Sequence, residues 1–350
     1  MVRSGMGPIR VVIADDSLVA REMLSTILSS DADIEVVGTA ATGSEVVELV
    51  RRLGPDLVTM DIHMPRMDGL EATERIMAFH PTPILVVSSS VHGEGVGLAF
   101  EALKLGALEV IKKPEPRDWA DLARIGKEIL RSVKILARVR VITHVQGRRG
   151  YRDERGVATL PRHPVARGVV AIGSSTGGPS ALHAIFSALP ADLKAPILVA
   201  QHIADGFVPG LVDWLDTSSA IHVVAAEDGA ALTPGTAYVA PTRANIVHDG
   251  KRISLSEPPA GQLYVPSADS LFESVARSFG KRALGVVLTG MGADGAVGLA
   301  RMRELGALTI AQDEESSTVF GMPKSAIDAG AVDRVLPLDE IGPTIAELVG

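Results

Sequence analysis

An uninterrupted apolar run that leads into a glycine-rich corner is the feature that most constrains the fold of this chain. Residues 169–172 read Val-Val-Ala-Ile and show no polar alternation, which indicates a strand buried on both faces, as in a parallel sheet. Gly173, Gly177 and Gly178 then allow a sharp turn, and residues 180–189 have helical spacing. Because reactive groups in open α/β sheets lie at the carboxyl ends of strands, we expect a functional site at this corner.

The corner also carries a candidate nucleophile. Residues 173–177 read Gly-Ser-Ser-Thr-Gly, which fits the G-x-S-x-G nucleophile elbow with Ser175 as its central serine. The same residues would also fit an ordinary strand-to-helix turn, or a loop that holds a phosphate at a helix N-terminus. A single glycine-serine pattern is a weak signal, so these alternatives stay open at this point.

Length and composition limit the class of protein. The chain has 350 residues, which is too long for one ordinary core and predicts two domains. Hydrophobic residues make up 46% and charged residues 22%, as in soluble globular proteins. The absence of cysteine excludes disulfides and thiolate sites. A net charge of −8 argues against a protein whose main task is to coat nucleic acid.

The sequence contains no long uncharged apolar segment, and the first eight residues lack the apolar core of a signal peptide. We therefore expect no direct membrane insertion and no secretion signal. The expected location is the cytoplasm, which the lack of cysteine also fits.

The first third of the chain alternates short apolar strands with helical segments. This order predicts an α/β fold with a parallel sheet and helices on both of its faces. The predicted strands are residues 9–14, 34–38, 56–60, 83–87 and 108–111.

Reactive side chains stand at the ends of these strands, in the order Asp15, Asp16, Asp61, Ser88 and Lys113. The carboxyl ends of parallel strands share one rim, so the five side chains are expected to converge. Clustered carboxylates suit a hard cation such as Mg²⁺, and a neighbouring lysine and hydroxyl would stabilise a phosphoryl group. The alternative is that acidic residues simply favour loop ends and helix N-termini.

Three segments carry a resemblance to a known family: Asp15-Asp16-Ser17, the sequence Asp-Leu-Val-Thr-Met-Asp-Ile-His-Met-Pro-Arg-Met-Asp-Gly at residues 56–69, and Lys113-Pro114. Residues 8–128 resemble the flavodoxin-like (βα)5 receiver domain of two-component response regulators. The resemblance implies that Asp61 accepts a phosphoryl group from a histidine kinase.

The resemblance to receivers also implies a metal site and a phosphate sensor. Asp16, Asp61 and the backbone carbonyl of His63 would bind Mg²⁺, with Asp15 as the second residue of the acidic pocket. Ser88 and Lys113 would sense the acyl phosphate. One departure is Val110, which stands where this family often has an aromatic residue, so an aromatic relay is not expected.

A long helix and a linker are expected next. Residues 118–136 have helical spacing, and residues 129–166 are interpreted as the end of this helix followed by an interdomain linker. Charge and glycine dominate residues 146–156, which favours a solvated spacer over a basic patch for a partner.

The second half supplies a base and an acid for the serine. A predicted strand at residues 195–200 ends at Gln201-His202, and another at 281–288 leads into Thr289-Gly-Met-Gly-Ala-Asp294-Gly295. Ser175, His202 and Asp294 therefore each follow a strand and fit on one rim. A histidine activates a serine by taking its proton, and a carboxylate orients the imidazole.

Alternatives exist for the base and for the fold. Other histidines compete for the role, namely His63, His92, His183, His222 and His248, but only His202 stands at a strand end with this context. The order serine, histidine, acid differs from that of α/β-hydrolases, so that fold is not inferred. Short strands at 236–240, 245–247 and 252–255 predict a small antiparallel addition to a doubly wound, mostly parallel α/β domain.

A second resemblance rests on Ile-Gly-Ser-Ser-Thr-Gly-Gly at 172–178, Gln201-His202, Leu-Thr-Gly-Met-Gly-Ala-Asp-Gly-Ala at 288–296, and Gln-Asp-Glu-Glu-Ser-Ser-Thr-Val-Phe-Gly-Met-Pro-Lys at 312–324. Residues 167–349 resemble the catalytic domain of the CheB family of chemotaxis methylesterases. The resemblance implies Ser175 as nucleophile, His202 as base and Asp294 as orienting acid. Thr176 and Met291 would lie in the active site, with the Met291 N–H as oxyanion donor. Ser174 stands where the family usually has alanine.

The family further implies an activity and partners. The protein would be a phosphorylation-activated esterase that demethylates glutamate methyl esters on the cytoplasmic helices of chemoreceptors, and that also deamidates receptor glutamines. The esterase chemistry would need no cofactor. Rival hypotheses are the same chemistry in a non-chemotaxis pathway, a catalytically silent docking module, and a DNA-binding response regulator, for which the second half offers no basic reading helix.

Overall fold

The computed structural model describes residues 7–89, 94–114, 119–139, 141 and 167–349. The chain divides into two compact units, residues 1–152 and 153–350. His92, the spacer at residues 146–156 and most of the predicted linker lie outside the described residues.

The first unit alternates strands and helices along the chain. Its elements are β1 (Ile9–Ala14), α1 (Leu18–Ser29), β2 (Ile34–Ala40), α2 (Gly43–Leu53), β3 (Leu57–Met60), α3 (Gly69–Phe79), β4 (Ile84–Ser88), α4 (Glu94–Lys104), β5 (Glu109–Lys112) and α5 (Trp119–Leu136). The strands form one sheet in the order β2-β1-β3-β4-β5, and every pairing is parallel. The flavodoxin-like α/β prediction is confirmed.

Capping residues start three helices of this unit close to the carboxyl ends of the strands. The side chains of Ser17, Thr42 and Asp68 each accept a hydrogen bond from a backbone N–H in the first turn of α1, α2 and α3. Such caps satisfy donors that a helix start leaves unpaired, and they stabilise a helix by about 1 kcal/mol. The strand-to-helix loops therefore have defined conformations.

The second unit is built on a larger sheet. Its elements are β6 (Val169–Ser174), α6 (Gly178–Ser187), β7 (Ile197–Gln201), α7 (Val208–Ser218), β8 (His222–Ala225), β9 (Thr236–Val239), β10 (Asn245–His248), β11 (Ile253–Ser256), α8 (Ala268–Phe279), a 3₁₀ turn (Gly280–Arg282), β12 (Ala283–Val287), α9 (Ala296–Glu304), β13 (Leu308–Gln312), α10 (Met322–Asp328), β14 (Arg334–Leu336) and α11 (Leu338–Val349). Seven parallel strands follow the order β14-β13-β12-β6-β7-β9-β8.

The predicted pairing of one strand, β9, was wrong. Residues 236–240 were expected in the antiparallel addition, but β9 lies in the main sheet, parallel to β7 and β8. The reason is burial on both faces, since Ala237, Tyr238 and Val239 are all buried. Among the strands of the described residues, only β10 and β11 form an antiparallel pair.

Aliphatic side chains fill the cores on both faces of the two sheets. In the second unit, Val169, Ala171 and Leu198 of the central strands pack with Leu271 and Phe272 of α8. The low content of aromatic residues, 3%, is consistent with this aliphatic packing. In the described part of the chain, no helix combines the length and the apolar character that crossing a membrane requires.

Two phenylalanines of the first unit, one buried and one exposed, provide a matched test of the core of that unit. Phe100 in α4 is fully buried, whereas Phe79 at the end of α3 is 76% exposed. We expect Phe100→Ala to lower the unfolding free energy of this unit by about 3–5 kcal/mol, because it leaves a cavity. Phe79→Ala should change it by less than about 0.5 kcal/mol.

The measurement is hydrogen exchange of the β3 and β4 backbone amides in the full chain at increasing denaturant, which reports the unfolding free energy of the first unit. Equal destabilisation by the two substitutions would contradict the assigned core.

Candidate active site

The serine of the elbow pattern lies in a strand–turn–helix junction. β6 ends at Ser174, Ser175 follows it, and α6 begins at Gly178 after Gly177, which has a left-handed φ of 77°. The backbone N–H of Ser175 donates to the Thr289 carbonyl at 3.1 Å. This is the context that the G-x-S-x-G pattern requires, and it places Ser175 at the carboxyl end of a central strand.

His202 and Asp294 form a hydrogen-bonded pair next to this junction. The backbone N–H of His202 donates to the Ser174 carbonyl at 2.9 Å. Its ring Nε2 lies 2.8 Å from Asp294 Oδ2, and the two side chains are only 13% and 4% exposed. The structure therefore brings the predicted base and acid together and anchors the base to the residue before Ser175.

The tautomer of His202 follows from its contacts. Because an ionised carboxylate only accepts hydrogen bonds, Nε2 must carry the proton that Asp294 binds. The second ring nitrogen, Nδ1, is buried and has no hydrogen-bond partner among the described residues. Nδ1 is therefore the nitrogen with a free lone pair, and it is the atom available to act as a base.

The carboxylate of Asp294 is held at the N-terminus of α8. Oδ1 accepts from Ser267 Oγ at 3.0 Å and from the Asp269 N–H at 3.1 Å, and Oδ2 accepts from the Ala268 N–H at 2.7 Å. Burial acts to raise the pKa of Asp294, but the bonds from His202 and the α8 backbone outweigh it, so the pKa lies below its ordinary value. The helix dipole also favours the ionised form here.

Gln201 connects the serine and histidine segments. Its Nε2 donates to the Ser175 carbonyl at 2.9 Å and to the His202 carbonyl at 2.7 Å, while its Oε1 accepts from Ser174 Oγ at 2.6 Å. Sequence reasoning noted Gln201 only as part of a motif. Its contacts show that it fixes the spacing of the two segments, and that the Ser174 hydroxyl is engaged in the interior.

The second glycine-rich corner closes against the first. A Cβ atom at Gly290 would lie 2.7 Å from the Cβ of Ser175, so this close approach requires glycine. Thr289 Oγ1 donates to the carbonyl of the buried Thr176 at 3.0 Å. Met291 follows Gly290 in this corner and is partly buried. Thr176 and Met291 therefore lie on segments that contact the Ser175 junction.

The competing histidines have other surroundings. His183 stacks on Trp214 with ring centroids 4.6 Å apart, and the side chain of His222 is 86% exposed. His248 packs against Phe279, and burial lowers its pKa. His63 belongs to the first unit, where it is exposed. Among the described histidines, the ion-pair geometry with a buried carboxylate singles out His202.

In the first unit the predicted acidic rim is present. Carboxylate oxygens of Asp15, Asp16 and Asp61 all lie within 4.8 Å of one another. Lys113 Nζ lies 2.7 Å from Asp15 Oδ2 and 2.9 Å from Asp61 Oδ2. The buried Ser88 accepts a hydrogen bond at its backbone carbonyl from the Lys113 N–H at 2.8 Å. All five predicted residues thus lie at one rim.

The charges of this rim fit a divalent cation. Burial raises the pKa of Asp61, and the charges of Asp15 and Asp16 add to the effect, while Lys113 opposes it. Burial acts to lower the pKa of Lys113, but Asp15 and Asp61 outweigh it and the pKa is raised. The three carboxylates carry more charge than one ammonium offsets, and oxygen donors of this kind suit Mg²⁺.

Two further positions that the resemblance to receivers singles out in the first unit are His63 and Val110. His63 stands two residues after Asp61 in the β3–α3 loop, and its side chain is exposed; its backbone carbonyl is the predicted ligand. Val110 is buried within β5. An aliphatic core residue therefore occupies the position that is often aromatic in receivers.

Comparisons with known proteins cover both units. Residues 170–345 match the CheB methylesterase family model, and residues 11–122 match the response regulator receiver domain model. A protein-glutamate methylesterase/protein-glutamine glutaminase of Geobacter metallireducens is 43% identical over 97% of this chain and 99% of its own length. A protein of the same name from Anaeromyxobacter dehalogenans is 45% identical and covers 98% of each chain.

A solved structure agrees with these matches. The CheB methylesterase catalytic domain of Thermotoga maritima has a TM-score of 0.51 and 39% identity, and it covers 53% of this chain and 100% of its own. The match in sequence extends over both units, while this structural match covers a single domain. The chain therefore belongs to the CheB family of methylesterases that carry a response regulator receiver domain.

Proposed function

We propose that this protein is a phosphorylation-activated serine hydrolase that removes methyl groups from glutamate methyl esters of chemoreceptors, releases methanol, and deamidates receptor glutamines. The observation that carries the proposal is the hydrogen bond from His202 to the buried Asp294, with His202 anchored beside Ser175. The names of two relatives that match nearly the whole chain, both protein-glutamate methylesterase/protein-glutamine glutaminases, support the choice of substrate.

In the proposed reaction His202 Nδ1 takes the proton of Ser175 Oγ as this oxygen attacks the ester carbonyl. The imidazolium then gives the proton to the departing methoxy oxygen, so methanol leaves and an acyl-enzyme forms. Water repeats the sequence: Nδ1 takes its proton, the hydroxide attacks the acyl carbonyl, and the proton returns to Ser175 Oγ. With a glutamine substrate the leaving group is ammonia.

Two further groups stabilise charge in this scheme. The Met291 N–H is the proposed donor to the oxyanion of the tetrahedral intermediate, and Thr176 is a further proposed active-site residue. One such donor stabilises the transition state by about 3 kcal/mol. Asp294 stays ionised because its pKa is lowered despite burial, so it stabilises the imidazolium.

The receiver would control the esterase. Residues 8–128 are proposed as receiver, 129–166 as helix end and linker, and 167–349 as catalytic domain.

Asp61 is the proposed phosphoacceptor for a histidine kinase, with Asp16, Asp61 and the His63 carbonyl as ligands for Mg²⁺. The ion supplies positive charge that offsets the phosphoryl oxygens. Lys113 and Ser88 would hold the acyl phosphate, and Asp15 completes the acidic pocket. We propose the cytoplasm as the location of the protein, because the proposed kinase and receptor helices act there.

Ser175→Ala should lower methanol release from methylated receptor by at least about 10³-fold, because the nucleophile is lost. Ser174→Ala is the matched control. The Ser174 hydroxyl is buried and bonds to Gln201 Oε1, and the two bonds from Gln201 Nε2 to the Ser175 and His202 carbonyls remain, so this change should keep the rate within a few-fold. The assay measures methanol from purified, methylated receptor. Comparable losses in both variants would remove Ser175 from its proposed role.

Acetyl phosphate with Mg²⁺ should speed methanol release by the wild type and leave Asp61→Asn at its basal rate. Asp33→Asn is a matched control, because Asp33 lies before β2 at the opposite end of the sheet and its side chain is 76% exposed. This variant should respond like the wild type. Stimulation of Asp61→Asn to the same extent would exclude Asp61 as the control point.

The ionisation of Asp294 should make the unfolding free energy of the second unit depend on pH. Its pKa is lowered on folding, so the ionised carboxylate stabilises the fold above about pH 4, and this contribution is lost as the pH falls through the folded-state pKa. We expect Asp294→Asn to lower the unfolding free energy by about 1–3 kcal/mol at pH 5 and by less at pH 3.

Chemical denaturation at the two pH values, followed by Trp214 fluorescence in a Trp119→Phe background, measures this difference. A stability gap that widens toward acid would contradict the assigned ionisation state.

A further inference from the structure

The imidazole of His202 has an aromatic neighbour outside the three predicted catalytic residues. The ring of Tyr264 lies 5.0 Å from the His202 ring, centroid to centroid, with an interplanar angle of 5°. Asp294 binds the edge of the imidazole at Nε2, whereas Tyr264 covers a face. Offset stacking of this kind is the favoured arrangement of two flat rings.

The backbone around Tyr264 is fixed from both sides. Gln262 Nε2 donates to the Tyr264 carbonyl at 2.6 Å, and the amides of Gln262 and Asn245 exchange two hydrogen bonds of 3.0 Å. Asn245 Oδ1 also accepts from the Ser267 N–H at 2.8 Å. Both ends of residues 262–267 therefore bind the buried Asn245, the first residue of β10.

The hydroxyl end of Tyr264 contacts the corner that carries Met291 and Asp294. A Cβ atom at residue 292 would lie 2.4 Å from Tyr264 Oη, and Gly292 has a φ of +93°. Glycine at this position therefore provides the space that the tyrosine occupies. The ring is held between His202 and the 292 backbone, so its orientation is determined by the fold.

We propose that Tyr264 is a positioning residue of the hydrolytic reaction, which keeps the His202 imidazole in its productive plane and stabilises the charge that this ring gains. This inference rests on the proposed function. The bond to Asp294 fixes one edge of the ring but permits rotation about that contact, and a flat neighbour removes this freedom. The centroid separation is also short enough for a cation–π interaction with the imidazolium.

The kinetic consequence is specific. The imidazolium exists only once the serine proton has been taken, so the stabilisation acts on the transition state and not on substrate binding. Loss of the aromatic face should therefore lower kcat and leave KM unchanged. It should also slow the reaction of Ser175 with a small fluorophosphonate, which needs the same proton transfer but no receptor docking.

The experiment compares Tyr264→Leu with the matched variant Tyr264→Phe in the full chain. We expect Tyr264→Leu to lower kcat and the fluorophosphonate labelling rate by about tenfold each, with KM within about twofold. Tyr264→Phe keeps the stacked face and should stay within about twofold in all three quantities. Gln262→Leu removes the bond to the Tyr264 carbonyl and should give a smaller loss of labelling rate in the same direction.

Several results would overturn the inference. Labelling of Tyr264→Leu at the wild-type rate excludes a role in proton transfer, and a rise in KM alone makes Tyr264 a receptor contact instead. A loss in Tyr264→Phe equal to that in Tyr264→Leu assigns the effect to the hydroxyl. If wild-type Ser175 is not labelled, the serine hydrolase proposal itself fails. If the wild type is labelled and Tyr264→Leu reacts at the same rate, only the role of Tyr264 fails.

Discussion

Parallel strand pairing is the constraint on which the candidate active site depends. β6 pairs with β7 on one side and with β12 on the other, so residues that follow the three strands meet at one edge of the sheet. Two backbone hydrogen bonds, from Ser175 N–H to Thr289 and from His202 N–H to Ser174, continue this pairing beyond the strands. Segments more than a hundred residues apart along the chain are thereby held at one edge of the sheet.

Two buried aspartates show how surroundings decide the charge state that each role requires. Asp61 and Asp294 are both almost inaccessible. Burial raises the pKa of Asp61, and the charges of its acidic neighbours Asp15 and Asp16 add to this effect. Asp294 accepts hydrogen bonds from Ser267, from the first turn of α8 and from His202, and its pKa is lowered despite burial. The two carboxylates are similarly buried, so the hydrogen-bond donors around Asp294 account for the opposite directions of the two pKa shifts.

Much of the fold and the outline of the site could be predicted from sequence, because the relevant signals are local. Apolar runs that end at Asp15, Asp61 or His202 are visible in the chain, and parallel topology places strand ends on one rim. The partner of β9 could not be predicted, since a four-residue strand flanked by turns is also typical of a hairpin. The roles of Gln201 and Tyr264 depend on neighbours that only tertiary packing brings together.

The central claim is that Ser175 Oγ forms a covalent acyl-enzyme with the receptor glutamate. Its most direct test is acid quenching of the enzyme during turnover of a methylated receptor peptide, followed by proteolysis and mass spectrometry. The account predicts an adduct on Ser175 whose mass equals the peptide minus methanol, formed no later than methanol itself. Methanol release with the adduct on another residue would contradict it.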